Sequence, residues 1–290
     1  MEPTITPTDA TLGAVVTGID LANLDEASWK AVEAAFHEHA VLVFPGQDLC
    51  AEDQTAFAER FGEIEILTPN AEVKAVPISN VRADGSLIDD DEDIVQILRG
   101  NEGWHTDSSY MPLAAKASVL SAHVVPSRDG QTEWADMRAA YDALDEETRQ
   151  RIDGLSAHHS LYHSQAKIGH AVKKAFIAGF HDEGAPLRPL VKEHPATGRK
   201  ALFIGRHAYD IPGLPEAESE RLLADLLAFA CREPRIYRHD WRVGDVVLWD
   251  NRCVLHRARP YDYDEARVMV HTRIAGDPRT ELAPTDRTHR

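Results

Sequence analysis

The sequence predicts an α+β, mainly β, protein: a jelly-roll barrel with helices packed on its outside. Three observations carry this. The second half of the chain is a succession of short, β-branched runs bounded by turn residues, while clear helical periodicity is confined to a few places. There is no Gly-rich phosphate loop and no regular alternation of strand and helix, which argues against a Rossmann-type fold. No repeat or linker divides the 290 residues, so one domain over 1–290 is expected.

The elements follow in chain order. Residues 11–19, TLGAVVTGI, form a short strand between glycine turns. In 24–40, Trp29, Val32, Ala35 and Phe36 recur at helical spacing behind early acids, which marks an amphipathic helix. VLVF (41–44) is a buried strand stopped by Pro45-Gly46, and 51–62 is a second helix closed by Gly62. Residues 65–100 break the pattern. VPISNV (76–81) is a strand, but Pro, Asn, Gly and the run Asp89-Asp90-Asp91-Glu92-Asp93 surround it. An acidic run is a solvated loop, and a long loop in a compact domain commonly covers a site; a mobile lid around 68–100 is expected. Strands then fall at 117–125, 154–162, 189–195, 201–205, 235–241, 245–250, 253–258 and 267–275. Helices are expected at 136–144 and 217–231.

Bulk composition narrows the function. Hydrophobic residues make up 43% of the chain, enough for a sizeable core. No apolar window is long enough for a membrane span, and Met1-Glu2-Pro3-Thr4 has no secretory character, so a cytoplasmic protein is expected. The formal net charge of −17, with no Lys/Arg run, speaks against nucleic-acid binding. Between 241 and 275 the charge is nearly balanced, with six Arg against five acids, so a small anion is best received there. Cys50, Cys231 and Cys253 have no metal-like or disulfide-like spacing and are expected as reduced, mostly buried thiols.

Within this frame one short motif bears on chemistry. In WHTD (104–107), His105 and Asp107 are two apart, so on an extended backbone both face the same way. The spacing alone is weak: with 15 histidines and 48 acids, chance accounts for both His-x-acid pairs in the chain. The other, His181-Asp182-Glu183, sits in a glycine-flanked loop and is set aside as a decoy. His256, at the end of an apolar strand, supplies a third ligand for His105 and Asp107. Two histidines and one carboxylate on one face suit a non-haem Fe(II) site, and suit zinc less well. Arg267 opens the next strand and is either a surface strand-end residue or an anchor for a diacid. His158, His159 and His163 form a second histidine cluster without an acid at matching spacing, so a lining or structural role is expected. Trp104 is either a site wall or an ordinary core aromatic.

Taken together, WHTDSSY, GQTEWADMRAAYDAL, HPATGRKALFIGRHA and GDVVLWDNRCVLHRARPYD…RVM make the chain resemble the Fe(II)/2-oxoglutarate dioxygenases of the taurine dioxygenase family. The likeness spans about residues 5–280 and is greatest to the aryloxyalkanoate dioxygenases, in the branch acting on (S)-2-aryloxypropionates such as dichlorprop and mecoprop. It implies a double-stranded β-helix and a homo-oligomer. It implies Fe(II) held by His105, Asp107 and His256, and the cosubstrate 2-oxoglutarate held by Thr132 and Arg267. Asn101 matches a substrate-side position, and Ser160 and Leu161 do so loosely. The family places a substrate-binding Arg four residues after the cosubstrate Arg; here that position is His271, with Arg273 two further on. Arg273, helped by His271 or by Arg206-His207, is therefore the expected anchor of a small anionic substrate, with O2 as the other reactant. Alternatives are the same mechanism on an alkylsulfonate or sulfate ester, or a metal-binding jelly-roll protein without catalysis.

Overall fold

The computed structural model describes residues 3–67, 72–89, 92–170 and 184–286. Their backbone is a jelly-roll core with helices outside it. The larger sheet has seven strands in the order Thr4–Pro7, Ala14–Thr17, Val41–Phe44, Val246–Asp250, Ala115–Val124, Val268–Ala275, Val76–Ser79. Neighbours pair antiparallel except Ala14–Thr17, which runs parallel to Val41–Phe44. A three-stranded sheet, Ile236–His239, Thr132–Asp136, Val254–Ala258, carries much of the facing layer. Trp134 from its centre meets Trp249 of the larger sheet at 5.8 Å between rings.

The unbroken apolar runs VLVF and VVLW have a physical reason. Side chains alternate across a strand, and both faces of these two strands are covered. Val41, Val43, Val247 and Trp249 enter the core between the sheets. Leu42, Phe44, Val246 and Leu248 enter a second core roofed by helix Glu26–His39 and helix Ala51–Glu59, with Val32, Phe36 and Phe57. Each fully buried side chain of this size contributes about 1.5–3 kcal/mol. The first helix starts where Asp25 accepts the Ser28 N–H at 2.7 Å and ends at Ala40, which adopts φ 60°. Trp29 is half-buried and packs edge-on to Phe61 at 4.8 Å.

Several elements differ from the sequence expectation. The stretch around 65–100 holds not only strand Val76–Ser79 but also helix Asp93–Gly100. The acids there suggested a solvated loop, yet Asp93 sits in the first helical turn, where a negative charge is favourable. Ile94, Ile97 and Leu98 then recur at helical spacing. Residues 68–71 and 90–91 lie outside the described part. The long strand expected over 154–162 is only Ser156–His159; Ser160 accepts the His163 N–H at 3.2 Å and starts helix Leu161–Ala166. Strand Thr132–Asp136 and helix Glu146–Ile152 were not foreseen. Cys253 is buried, but Cys50 is exposed and Cys231 half-buried; all three are free thiols. Among the described residues no helix is long and apolar enough to cross a membrane.

Asp136 shows how tightly the core is tied. Its carboxylate caps helix Met137–Asp142 through the Arg138 and Ala139 N–H groups and pairs with the Arg138 guanidinium at 2.9 Å. Both side chains are almost fully buried, at 2% and 1% exposure. Asp136→Asn keeps the cap but leaves Arg138 charged and uncompensated. Urea denaturation is expected to show a loss of about 3 kcal/mol.

Candidate metal centre

His105 and His256 are brought together by backbone, not by side-chain attraction. The two residues form an isolated antiparallel bridge: His105 N–H donates to the His256 carbonyl at 2.9 Å, and the reverse bond is 2.7 Å. His256 lies on strand Val254–Ala258, opposite Trp134. Asp107, two residues past His105, completes a buried group whose ligand atoms all lie within 4.8 Å of one another. Thr106 points away from it, and its hydroxyl donates to the Asn251 carbonyl at 2.7 Å.

The protonation states suit a cation. His105 Nδ1 lies 2.8 Å from the Gly103 carbonyl, so Nδ1 carries the proton and the Nε2 lone pair is left for a ligand bond. Burial pushes the pKa of His105 down to about 4, against the opposing pull of Asp107. Burial also holds His256 well below its ordinary value. For Asp107, burial works to raise the pKa, but Arg273, His256 and His271 outweigh it and keep the carboxyl well below the usual range. At neutral pH the group therefore offers two neutral imidazoles and one carboxylate, the states in which such groups bind metal.

Asn251, which the motif reading did not single out, organises the surroundings. Its side-chain oxygen accepts from Asp107 N–H at 3.2 Å and from Trp249 Nε1 at 3.0 Å, and its Nδ2 donates to Ser118 Oγ at 2.9 Å. Ser118 in turn donates to Asp107 Oδ2 at 2.7 Å. No spacing rule marks an asparagine for this; only the meeting of three segments does.

A second group, His37, His194 and Asp250, also comes within ligand distance. Its chemistry does not suit a metal. His194 Nδ1 accepts from the Ala196 and Thr197 N–H groups at 3.3 and 3.2 Å, so Nε2 carries the proton and donates to Asp250 Oδ2 at 2.9 Å. The other Asp250 oxygen accepts from Arg252 Nε at 2.8 Å.

The metal group opens onto a cavity of about 230 Å³. Ile94, Ile97, Leu98, Leu120, Leu161 and Trp249 give it a mainly apolar wall, and Thr132, Arg267, His271, Arg273, Asn101 and His207 also reach it. Thr132 Oγ1 accepts from Trp241 Nε1 at 2.9 Å, which leaves its own proton to donate. Arg267 is 6% exposed and pairs with no carboxylate among the described residues. Among the described residues its guanidinium has one acceptor, the Gly130 carbonyl at 3.5 Å, and Nε has none. A buried, unpaired guanidinium is costly unless an anion joins it; the surface alternative for Arg267 is excluded.

The other expected anion ligands divide. Arg273 Nη2 donates to Asp107 Oδ1 at 3.0 Å and Nη1 to Ser108 Oγ at 2.8 Å. His271 stacks on Trp249 at 5.7 Å with Nε2 3.6 Å from Asp107 Oδ2. Both line the cavity but are turned toward the metal carboxylate. Arg206 is not brought to the cavity wall. Its guanidinium donates to the Gly100 carbonyl and, at 3.0 Å, to that of Ser164, clamping helix Asp93–Gly100 to helix Leu161–Ala166. His207 does face the cavity, with Nδ1 2.8 Å from Ser164 Oγ. Asn101 ends helix Asp93–Gly100 and its carbonyl accepts from Ala258 N–H at 2.9 Å. Trp104 belongs to the core, under the Arg257 guanidinium at 4.5 Å. His159 packs on Phe203 and His163 stacks on Tyr209, and among the described residues this cluster forms no metal-capable group. His181-Asp182-Glu183 lies outside the described residues.

With this geometry in hand, comparison with known proteins is decisive. Residues 4–273 match the family model described as taurine catabolism dioxygenase TauD, TfdA family. The chain belongs to the TauD/TfdA dioxygenase family. It is 58% identical over 285 residues to an (S)-phenoxypropionate/alpha-ketoglutarate-dioxygenase of Sphingobium herbicidovorans, covering 96% of this chain and 97% of that one. It is 52% identical over 286 residues to a protein of the same name from Delftia acidovorans, again covering 96% and 97%. The crystal structure of AAD-2 in complex with Mn(II) and N-oxalylglycine superposes with a TM-score of 0.88 at 37% identity, covering 99% of this TauD/TfdA chain and 100% of the other.

The buried histidines set a pH dependence. His159 is fully buried, neither ring nitrogen has a hydrogen-bond partner among the described residues, and burial, with Arg188 and Lys192 nearby, holds its pKa well below the ordinary value. The unfolded chain therefore takes up a proton below about pH 6.5 that the folded chain does not. Its contribution is present above that pH and is lost as pH falls, by up to about 1.4 kcal/mol per pH unit. Urea midpoints of the metal-free protein are expected to drop from about pH 7 to about pH 5, and less steeply in His159→Phe.

Proposed function

We propose that this dioxygenase hydroxylates the ether-bearing carbon of an (S)-2-aryloxypropionate, using Fe(II) and 2-oxoglutarate. The observation that carries the reading is the unpaired, buried Arg267 in the same cavity as the His105–Asp107–His256 group. A metal-binding protein without catalysis has no need for that cation.

His105 Nε2, Asp107 and His256 would hold the iron, a donor set of two imidazoles and one carboxylate that suits Fe(II). Arg267 and the free proton of Thr132 receive the far carboxylate of 2-oxoglutarate. When bound, iron with 2-oxoglutarate and O2 supplies the oxidation: one oxygen atom goes to the substrate carbon and one to succinate, with loss of CO2. The protein's own part is orientation and exclusion of water. The apolar wall of Ile94, Ile97, Leu98, Leu120 and Leu161 takes the aryl ring. Arg273 and His271 are occupied with Asp107, which leaves His207 and Asn101 to meet the substrate carboxylate, with Arg206 acting only through its clamp on the helices. The hydroxylated carbon carries both a hydroxyl and an aryl ether oxygen. This hemiketal breaks its C–O bond to the ring oxygen, giving a phenol and pyruvate.

Succinate formation with Fe(II), 2-oxoglutarate and each enantiomer of dichlorprop tests the proposal. The (S)-enantiomer is expected to drive succinate and phenol release in equal amounts. Phenol-free turnover with an alkylsulfonate, and none with either enantiomer, would replace the substrate while keeping the mechanism. Arg267→Ala is expected to raise the KM for 2-oxoglutarate by about a hundredfold or more, equivalent to about 3 kcal/mol for a charge-assisted pair.

A further inference from the structure

We infer that Glu65 is a positioning residue for the metal carboxylate: acting through Ser108 and Arg273, it fixes the orientation in which Asp107 faces His105 and His256. The inference rests on the metal site proposed above.

Glu65 is tied to Arg273 directly through its backbone and indirectly through Ser108. Its backbone N–H donates to the Arg273 carbonyl at 2.8 Å, beside a bridge between Ile64 and Ile274. Its carboxylate lies 2.7 Å from Ser108 Oγ through either oxygen. Ser108 Oγ accepts from Arg273 Nη1 at 2.8 Å, so its own proton goes to Glu65. The donors run in one direction, from Arg273 to Ser108 to Glu65, and such chains strengthen each bond. The second amino group of Arg273 goes to Asp107 Oδ1 at 3.0 Å. Tyr110 adds a further contact to Arg273.

The local backbone supports this assignment. Ser108 follows the metal carboxylate directly, is fully buried and holds φ at 52°, in the left-handed region. A side chain there costs about 1–2 kcal/mol, and the strain persists only where surrounding contacts hold it. What it achieves is to turn Ser108 Oγ toward Glu65 and Arg273 while Asp107 faces the histidines.

Charge explains why a second carboxylate is needed. Arg273 paired with Asp107 alone would form a closed ion pair, competing with a cation for the same carboxylate. Standing between Asp107 and Glu65, Arg273 is shared, and Asp107 keeps negative charge for the metal. Burial raises the Glu65 pKa above its ordinary value, with Arg273 and the Ser108 hydroxyl limiting the rise. Glu65 also lies two residues before Leu67, which lines the cavity, so the segment entering the site is tied to the metal carboxylate.

Titration of the metal-free protein with Co(II), followed by its visible absorption bands, tests this. Glu65→Gln keeps the side-chain shape and removes the charge. It is expected to raise the Co(II) dissociation constant about tenfold, or about 1.4 kcal/mol, and to shift the bands. Ser108→Ala is expected to do the same, and the double variant to lose little more than either single one, because all act on one path. A folded Glu65→Gln protein that binds Co(II) with wild-type affinity and unshifted bands would overturn the inference. Should Glu65→Gln not fold, the same wild-type behaviour in Ser108→Ala overturns it. Co(II) binding that survives His105→Ala in the wild-type background would instead remove the metal-site reading, and the role of Glu65 with it.

Discussion

The reciprocal backbone pair between His105 and His256 is the constraint on which the rest of the site depends. Its two hydrogen bonds, at 2.9 and 2.7 Å, join segments 151 positions apart in sequence and bring two imidazoles to 4.1 Å between ring centroids. Side-chain attraction could not do this, because two imidazoles do not draw one another together and each loses solvation on burial. The cost is met by the jelly-roll framework, in which strand Val254–Ala258 is already paired to Thr132–Asp136. Asp107 then follows from His105 by strand alternation, and Asn251 secures its backbone.

Around that pair, electrostatics sorts the polar groups into two kinds. Asp107, Ser108, Glu65 and Arg273 are joined by hydrogen bonds around the metal carboxylate, with His271 Nε2 3.6 Å from Asp107. Arg267 and the Thr132 proton are left open toward the cavity. The joined groups hold geometry; the open groups wait for an anion. A buried cation without a counter-charge is tolerable in a folded protein when the ligand brings that charge. The distinction between Arg273 and Arg267, both on or beside one strand, is therefore a distinction of partners, not of residue type.

The apolar side of the cavity has a different origin. Helix Asp93–Gly100 presents Ile94, Ile97 and Leu98 to it, and Arg206 ties the end of that helix to helix Leu161–Ala166. The acids before the helix suggested only a solvated loop, since an acidic run and a helix N-terminus share the same residues. In Arg206 a residue expected at the substrate shapes the pocket from behind, which accounts for its place beside cavity-lining His207 without direct access.

Much of this was legible in the sequence. The short, turn-bounded apolar runs VLVF and VVLW identified strands, and extended spacing placed His105 and Asp107 on one face. The residues themselves offered His256 and Arg267, the resemblance added Thr132 and chose the anchor role for Arg267, and all three reach the cavity. What the sequence by itself determined was which residues could act, because residue chemistry and local periodicity are local properties. Which of them do so was decided by tertiary structure alone. The decoy status of the His37–His194–Asp250 group depends on where two backbone N–H groups point. The commitment of Arg273 to Asp107, the recruitment of Glu65 and Asn251, and the exclusion of Arg206 from the cavity all arise from contacts between segments far apart in the chain, where hydrogen-bond direction and burial, not spacing, set the outcome.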